Sequence, residues 1–235
     1  MLTFVGMTQT AGKSAGTPLL ILFVRTNYTS AMISSKLLDT AIDQFGRHGF
    51  EGASTRAIAK ASGTAMSSIT YHFGGKEGLY LAAAEHIAAS IAELHAPNLE
   101  QVRAAMDGSR EQARDALLLL IDGFAQMMLR PESEAWARFV IREQQAPTEA
   151  FERLYAGAMG PLVGVFVGLL ARLRPDLDER EVRATAILLV GQGMILRAGR
   201  ASACRILGVD RLGEAEGKLL RERLRANLLC ILSEA

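Results

Sequence analysis

Two short amphipathic segments, each stopped by glycine, constrain this chain more than any other feature. The first contains Thr55-Arg56-Ala57-Ile58-Ala59 and stops at Gly63; the second runs from about Met66 to Phe73 and stops at Gly74-Gly75. Ile58 and Ser62 lie four apart on one helix face, and the small Ala59 beside them lets a following helix cross closely. Gly63 takes the left-handed conformation that ends a helix at least cost. Ile69 and Phe73, also four apart, face inward. Ser67, Ser68, Thr70, Tyr71 and His72 are left on the outer and flanking faces. These are hydrogen-bonding side chains without negative charge, the types that suit base edges and phosphates. Lys76 then opens a new helix, where its ammonium and the free backbone N–H groups can hold one phosphate together. The spacing outlines a helix-turn-helix that presents a short second helix to the major groove of duplex DNA.

On these residues the stretch from about Ser34 to Leu94 resembles the DNA-binding domain of the TetR family of transcriptional regulators. The family signature of helix, glycine, helix and an aromatic-rich close is matched here by Tyr71-His72-Phe73-Gly74-Gly75-Lys76-Glu77-Gly78-Leu79. The resemblance implies that Thr55, Arg56, Ser67, Ser68, Thr70, Tyr71, His72 and Lys76 contact DNA. Many relatives carry a Ser or Thr cap on the recognition helix and a Lys behind it; Ala65 and Met66 stand at those places. The form Ile69-Thr70-Tyr71 is similar to a CecR-like subgroup. So are Arg142-Glu143 with Pro147-Thr148, and Gly191-Gln192 with Arg197 through Arg200. What the resemblance implies is a ligand-responsive repressor that binds a palindromic operator as a homodimer, with transporter or efflux genes among its targets. It also implies a lever: the helix after Lys76 tilts when an effector changes the helical body.

The body reads as helix throughout, so the expected fold is all-α: an N-terminal three-helix DNA-binding domain and a C-terminal helical domain for ligand binding and dimerisation. A first helix from about Ser34 to His48 sets Leu37, Leu38, Ala41, Ile42 and Phe45 on one stripe, and Gly49 ends it. A connecting helix from about Lys76 is closed by Pro97. Ser109-x-x-Gln112 is a capping box, and Asp178-x-x-Glu181 is an acidic cap for a long helix to about Leu207. Gly160-Pro161 predicts a kink. Residues 32–95 are read as the DNA-binding domain with its connecting helix, and 96–235 as the effector-binding and dimerisation domain. Residues 1–31 fit neither; they read as a disordered extension, or as sequence upstream of a true start near Met32. Their apolar run, Leu19 to Val24, is far short of the about 20 residues that span a bilayer, so no membrane partner is expected.

Leu188, Ile195 and Leu196 fall at helical spacing on one late segment, and Leu220, Leu224 and Leu228 on the next. Two such helices from each subunit make a four-helix bundle, which marks these six as dimer-interface candidates; the alternative is burial against their own chain. An effector pocket of the family type draws on Phe124, Met127, Met128, Trp136, Phe139, Tyr155 and Phe166 as wall, with Arg142, Glu143, Gln144, Gln192 and Arg197 as polar anchors. Ordinary helical cores hold the same aromatics and methionines, and Gln192 serves equally well as a bond across the dimer.

Net charge is +1, with seven Lys/Arg against six Asp/Glu in residues 1–95 and nineteen of each in 96–235. A local patch must therefore supply the attraction to DNA. Cys204 and Cys230 read as reduced thiols packed among apolar neighbours, and His48, His86 and His95 as exposed helix positions. No nucleophile, phosphate-loop or metal-ligand motif is present, so neither catalysis nor cofactor nor metal is expected, and the location is the cytoplasm. Two other readings stay open: a DNA-binding protein of this type that answers to a protein partner or acts architecturally, and, remotely, a helical-bundle enzyme.

Overall fold

The first helix, α1 (Pro18–Gly52), supports a two-helix reader made of α2 (Thr55–Ser62) and α3 (Met66–Phe73). The computed structural model describes residues 18–233, with side chains from residue 35 to residue 233. Every element among the described residues is helical. After the reader come α4 (Lys76–Met106), α5 (Arg110–Leu129), α6 (Ser133–Gln145) and α7 (Glu149–Leu154). A π-helical turn (Tyr155–Met159) leads into α8 (Gly160–Leu173), followed by α9 (Glu179–Ala198), α10 (Arg200–Leu207) and α11 (Glu214–Ser233).

Several boundaries stand as the residues suggested. Gly49 breaks α1 with φ 73° and ψ 174°, and Gly63 ends α2 in the left-handed conformation, φ 74° and ψ 26°. The capping box forms at Ser109/Gln112, and the acidic cap at Asp178/Glu181 is a reciprocal box as well. Others differ. The backbone of α1 continues upstream of Ser34 to Pro18; the rest of the expectation for residues 1–31 lies outside the described residues. Helix α4 does not end at Pro97 but passes through it to Met106. The far end buries Val102 and Ala105, and that packing offsets the amide bond the proline removes. The kink expected at Gly160-Pro161 is absorbed by the π turn, a wider coil that suits a missing amide donor. The long helix to Leu207 is two, bent by 83° at Gly199. A Cβ at Gly199 would lie 2.5 Å from Ile195 Cδ1, the mobile end of an exposed side chain, and 3.2 Å from the Ile195 carbonyl.

Two apolar clusters form the core. One joins the reader to the near end of α4, to α6 and to α7, around Phe45, Ile58, Ile69, Leu79, Ile87 and Phe139. The other joins the far end of α4 to α5, α8, α9 and α11, around Leu117, Ile121, Leu169, Leu170, Leu189 and Leu228. Phe124 and Met128 of α5 pack against both. The rod Glu149–Leu173 is 25 residues long with mean hydropathy 1.9, enough by length and composition to cross a bilayer. Here Leu154, Phe166, Leu169, Leu170 and Leu173 of that rod are buried in the two clusters, on α4, α5 and α9.

Candidate nucleic-acid interface and effector cavity

The reader is held from behind and open in front. Ile69 is 1% exposed and anchors α3, while Ser62 Oγ donates to the carbonyl of Ile58 at 2.9 Å and shares a 2.9 Å bond with Thr64 Oγ1, fixing the turn. Ser54 caps α2 by accepting from the Ala57 amide; α3 has Ala65 at its N-cap and no side-chain cap, which leaves its first amides for an outside acceptor. Ser67, Thr70, Tyr71 and His72 are exposed and Ser68 is half-buried; on α2, Arg56 is exposed and Thr55 half-buried. From Gly52 to Lys76 the sequence contains Arg56, Lys60 and Lys76 and no Asp or Glu. This is the local positive surface that the near-neutral total conceals. Lys76 is engaged: its Nζ sits 4.8 Å over the Phe50 ring and donates to the Glu51 carbonyl at 3.1 Å. A phosphate therefore has to meet an ammonium already oriented by its neighbours.

Behind the reader, a cavity of ≈ 260 Å³ lies where the two clusters meet. Phe124 and Met127 of α5, Trp136 of α6, and Tyr155 and Met159 of the π turn line it, together with Phe166 of α8. Four expected pocket residues are elsewhere. Phe139 is fully buried and stacks on Tyr80, with centroids 4.6 Å apart, inside the reader's cluster. Glu143 is 2% exposed and accepts from Tyr80 Oη at 2.6 Å, from the Thr148 amide at 3.0 Å and from Thr148 Oγ1 at 2.9 Å. Burial and this carboxylate raise the Tyr80 pKa, so the phenol stays protonated and donating. Arg142 donates to the backbone carbonyls of Gly46 and Arg47 on α1 at 3.0 and 3.1 Å. Gln192 accepts from Asn227 Nδ2 at 2.9 Å, joining α9 to α11 outside the cavity. The reason is helical phase: on α6, residues 136, 137, 140, 141 and 144 meet the cavity, while 138, 139, 142 and 143 point at α1 and α4.

His95 is the converse case. Expected at the surface, it is 8% exposed and lines the cavity, with Nε2 lacking a partner. Burial, with the Arg130 cation adding to it, holds the imidazole below its ordinary pKa. Above about pH 6.5 the ring is neutral in both folded and unfolded chains. Below that the unfolded chain takes the proton first, so stability is lost as pH falls toward the folded value. Thermal midpoints at about pH 7.5 and 5.5 are therefore expected to differ less in His95→Gln than in the parent protein.

The six interface candidates divide by exposure. Leu188 and Ile195 are 68% and 55% exposed, but Leu196, Leu224 and Leu228 are buried against α5 in their own chain, and Leu220 is half-buried there. The stripe at strict helical spacing was the core-facing one. The exposed apolar face next to it holds Ile187 and Leu188, with Ile195, on α9 and Leu219 and Leu229 on α11. Cys230 is exposed on α11 rather than packed, and Cys204 is half-buried on α10.

Known proteins match this arrangement in two parts. Residues 37–83 match the family described as bacterial regulatory proteins, tetR family, and residues 113–234 match the C-terminal domain of the HTH-type transcriptional dual regulator CecR. CecR of Shigella flexneri is 28% identical over 201 residues, covering 84% of this chain and 90% of that protein. A TetR-like transcriptional regulator from Rhodococcus sp. RHA1 superposes with a TM-score of 0.59 at 24% identity, over 87% of this chain and 98% of that one. The transcriptional regulator FadR of Bacillus subtilis, solved in complex with stearoyl-CoA, superposes with a TM-score of 0.54 at 16% identity, over 81% and 96%.

Proposed function

We propose that this chain, which belongs to the TetR family of transcriptional regulators and within it to the CecR type, is a repressor that binds a near-palindromic operator as a homodimer and is released by a small apolar effector. The observation that carries this reading is the two-sided use of α6. One face of it walls the cavity through Trp136, Val140 and Ile141. The other grips the reader's support: Arg138 pairs with Asp43 at 2.8 Å, and Arg142 holds the end of α1. At the crossing, a Cβ on Gly46 would come within 3.1 Å of Arg138 Cβ and 3.2 Å of the Ala135 carbonyl. Helices this close move together, so a ligand that displaces α6 displaces α1. The Tyr80–Glu143 bond ties the same movement to α4. This adds a second arm to the α4 lever, and an ordinary coupling of about 1–3 kcal/mol suffices.

Dimerisation uses the exposed α9/α11 face in this reading, which places two copies of α3 in successive major grooves. Kinship with the CecR type supports transporter genes as targets, a matter of association rather than geometry. The test is footprinting of the full-length chain on the DNA upstream of its own gene and its neighbours. Two protected half-sites with related inverted sequences, about 10 bp or a multiple apart, are the expected result. A monomer that protects no fragment overturns the proposal.

A further inference from the structure

We infer that the cavity takes a monoanionic amphiphile, an apolar body whose one negative group seats against Arg197. This rests on the cavity being the effector site. An apolar cavity of about 150 Å³ holds benzene, so ≈ 260 Å³ has room for a bicyclic ring system or a medium-length chain. The wall is aromatic and aliphatic apart from a few groups, and Arg197 of α9 is the cation among them.

Its surroundings define what is missing. Arg197 Nη2 donates to the Arg130 carbonyl and, at 3.0 Å, to Ser133 Oγ, both uncharged. Ser133 is itself fixed, its one O–H shared between the Met127 carbonyl at 2.5 Å and the Arg130 carbonyl at 2.8 Å. Arg197 Nε is buried with no acceptor. Among the described residues no carboxylate pairs with this guanidinium; the neighbouring Glu134 is engaged by Arg138. Burial holds the Arg197 pKa below its ordinary value, with the Arg200 and Arg138 cations adding to it and the Glu134 carboxylate opposing, and Arg200 donates to the carbonyls of Leu129 and Leu212. One end of an apolar cavity thus carries a guanidinium that is bonded to neutral oxygens alone. A half-buried cation of this kind is costly until an anion meets it. A planar guanidinium with a free Nε–H matches a carboxylate better than it matches a neutral oxygen.

Matched acid and amide pairs test this: decanoate with decanamide, and 1-naphthoate with 1-naphthamide, each titrated into the full-length protein. Thermal shift reads all four. Fluorescence of Trp136, the chain's single tryptophan and a cavity residue, reads the aliphatic pair. At least one acid is expected to bind about tenfold tighter than its amide, the effect of one charge-assisted hydrogen bond. In Arg197→Gln that preference is expected to vanish, and because the comparison within the parent protein needs no variant, misfolding of Arg197→Gln does not obscure it. If the amides bind as tightly as the acids, the anion inference falls while the cavity remains an effector site. If none of the four shifts the melting temperature or the Trp136 signal, the effector reading falls with it.

Discussion

Tyr71→Ala is expected to lower affinity for the footprinted operator by about tenfold or more, as loss of a base-edge contact worth about 1–3 kcal/mol requires, with no change in melting temperature. The side chain is 85% exposed, and its ring–ring contact among the described residues is with the adjacent His72, centroids 4.9 Å apart. Its removal leaves no cavity and no orphaned partner, so whatever is lost is lost at the DNA. Affinity for unrelated duplexes is expected to hold, because phosphates supply that term. Lys76→Ala makes the contrast: weaker binding to every sequence alike and a salt slope reduced by about one. Competitive mobility-shift titrations at several salt concentrations separate the two patterns. Unchanged operator preference in Tyr71→Ala would mean that the recognition surface lies elsewhere on the reader.

Glu143→Ala is expected to cost about 3 kcal/mol of stability, the upper range for deleting a charged acceptor from buried donors. For a chain of this size that is roughly a 6–12 °C fall in melting temperature. Three bonds go at once, and the Tyr80 hydroxyl and the Thr148 amide lose their acceptor in a site only 2% exposed at Glu143. Glu143→Gln is expected to recover part of the loss. Its oxygen can still accept from Thr148, and its NH2 can donate to Tyr80 Oη, which accepts as well as donates. Calorimetry on the two variants checks the order. Equal losses would show that the charge matters more than the hydrogen-bond pattern, and no loss in either would show that the bridge does not hold α4 to α6.

The reader was legible because its rules are local. Gly63, Gly74, Ser109 and Asp178 each act within a few residues, through backbone conformation or a capping bond, and the helix ends they set stand where expected, although the helix that Asp178 opens stops at Ala198 instead of Leu207. Subgroup membership was legible too, since Arg142-Glu143 and Pro147-Thr148 are short in sequence; the structure adds that Thr148 donates twice to Glu143 while Arg142 turns to α1. The cavity was legible in part. Phe124, Met127, Met128, Trp136, Tyr155, Phe166, Gln144 and Arg197 line it as expected, while Phe139, Glu143, Arg142 and Gln192 do not. Large apolar side chains on an amphipathic helix face some interior, but periodicity does not say which of two interiors. His95 went unrecognised because a lone histidine in a helix carries no sign of burial; its position two residues before Pro97, in a helix that was expected to stop, hid it further.

The sequence by itself determined the helix-turn-helix, the all-helical body and the family, because glycine stops, caps and residue spacing act over distances shorter than one helix. Only the tertiary structure decided which leucines are core and which are surface, that α6 serves the cavity on one side and the reader on the other, and that Arg197 stands at the cavity without a carboxylate. Those properties depend on the rotation of each helix about its axis and on which partner it meets, and that choice is made by the packing of segments many tens of residues apart.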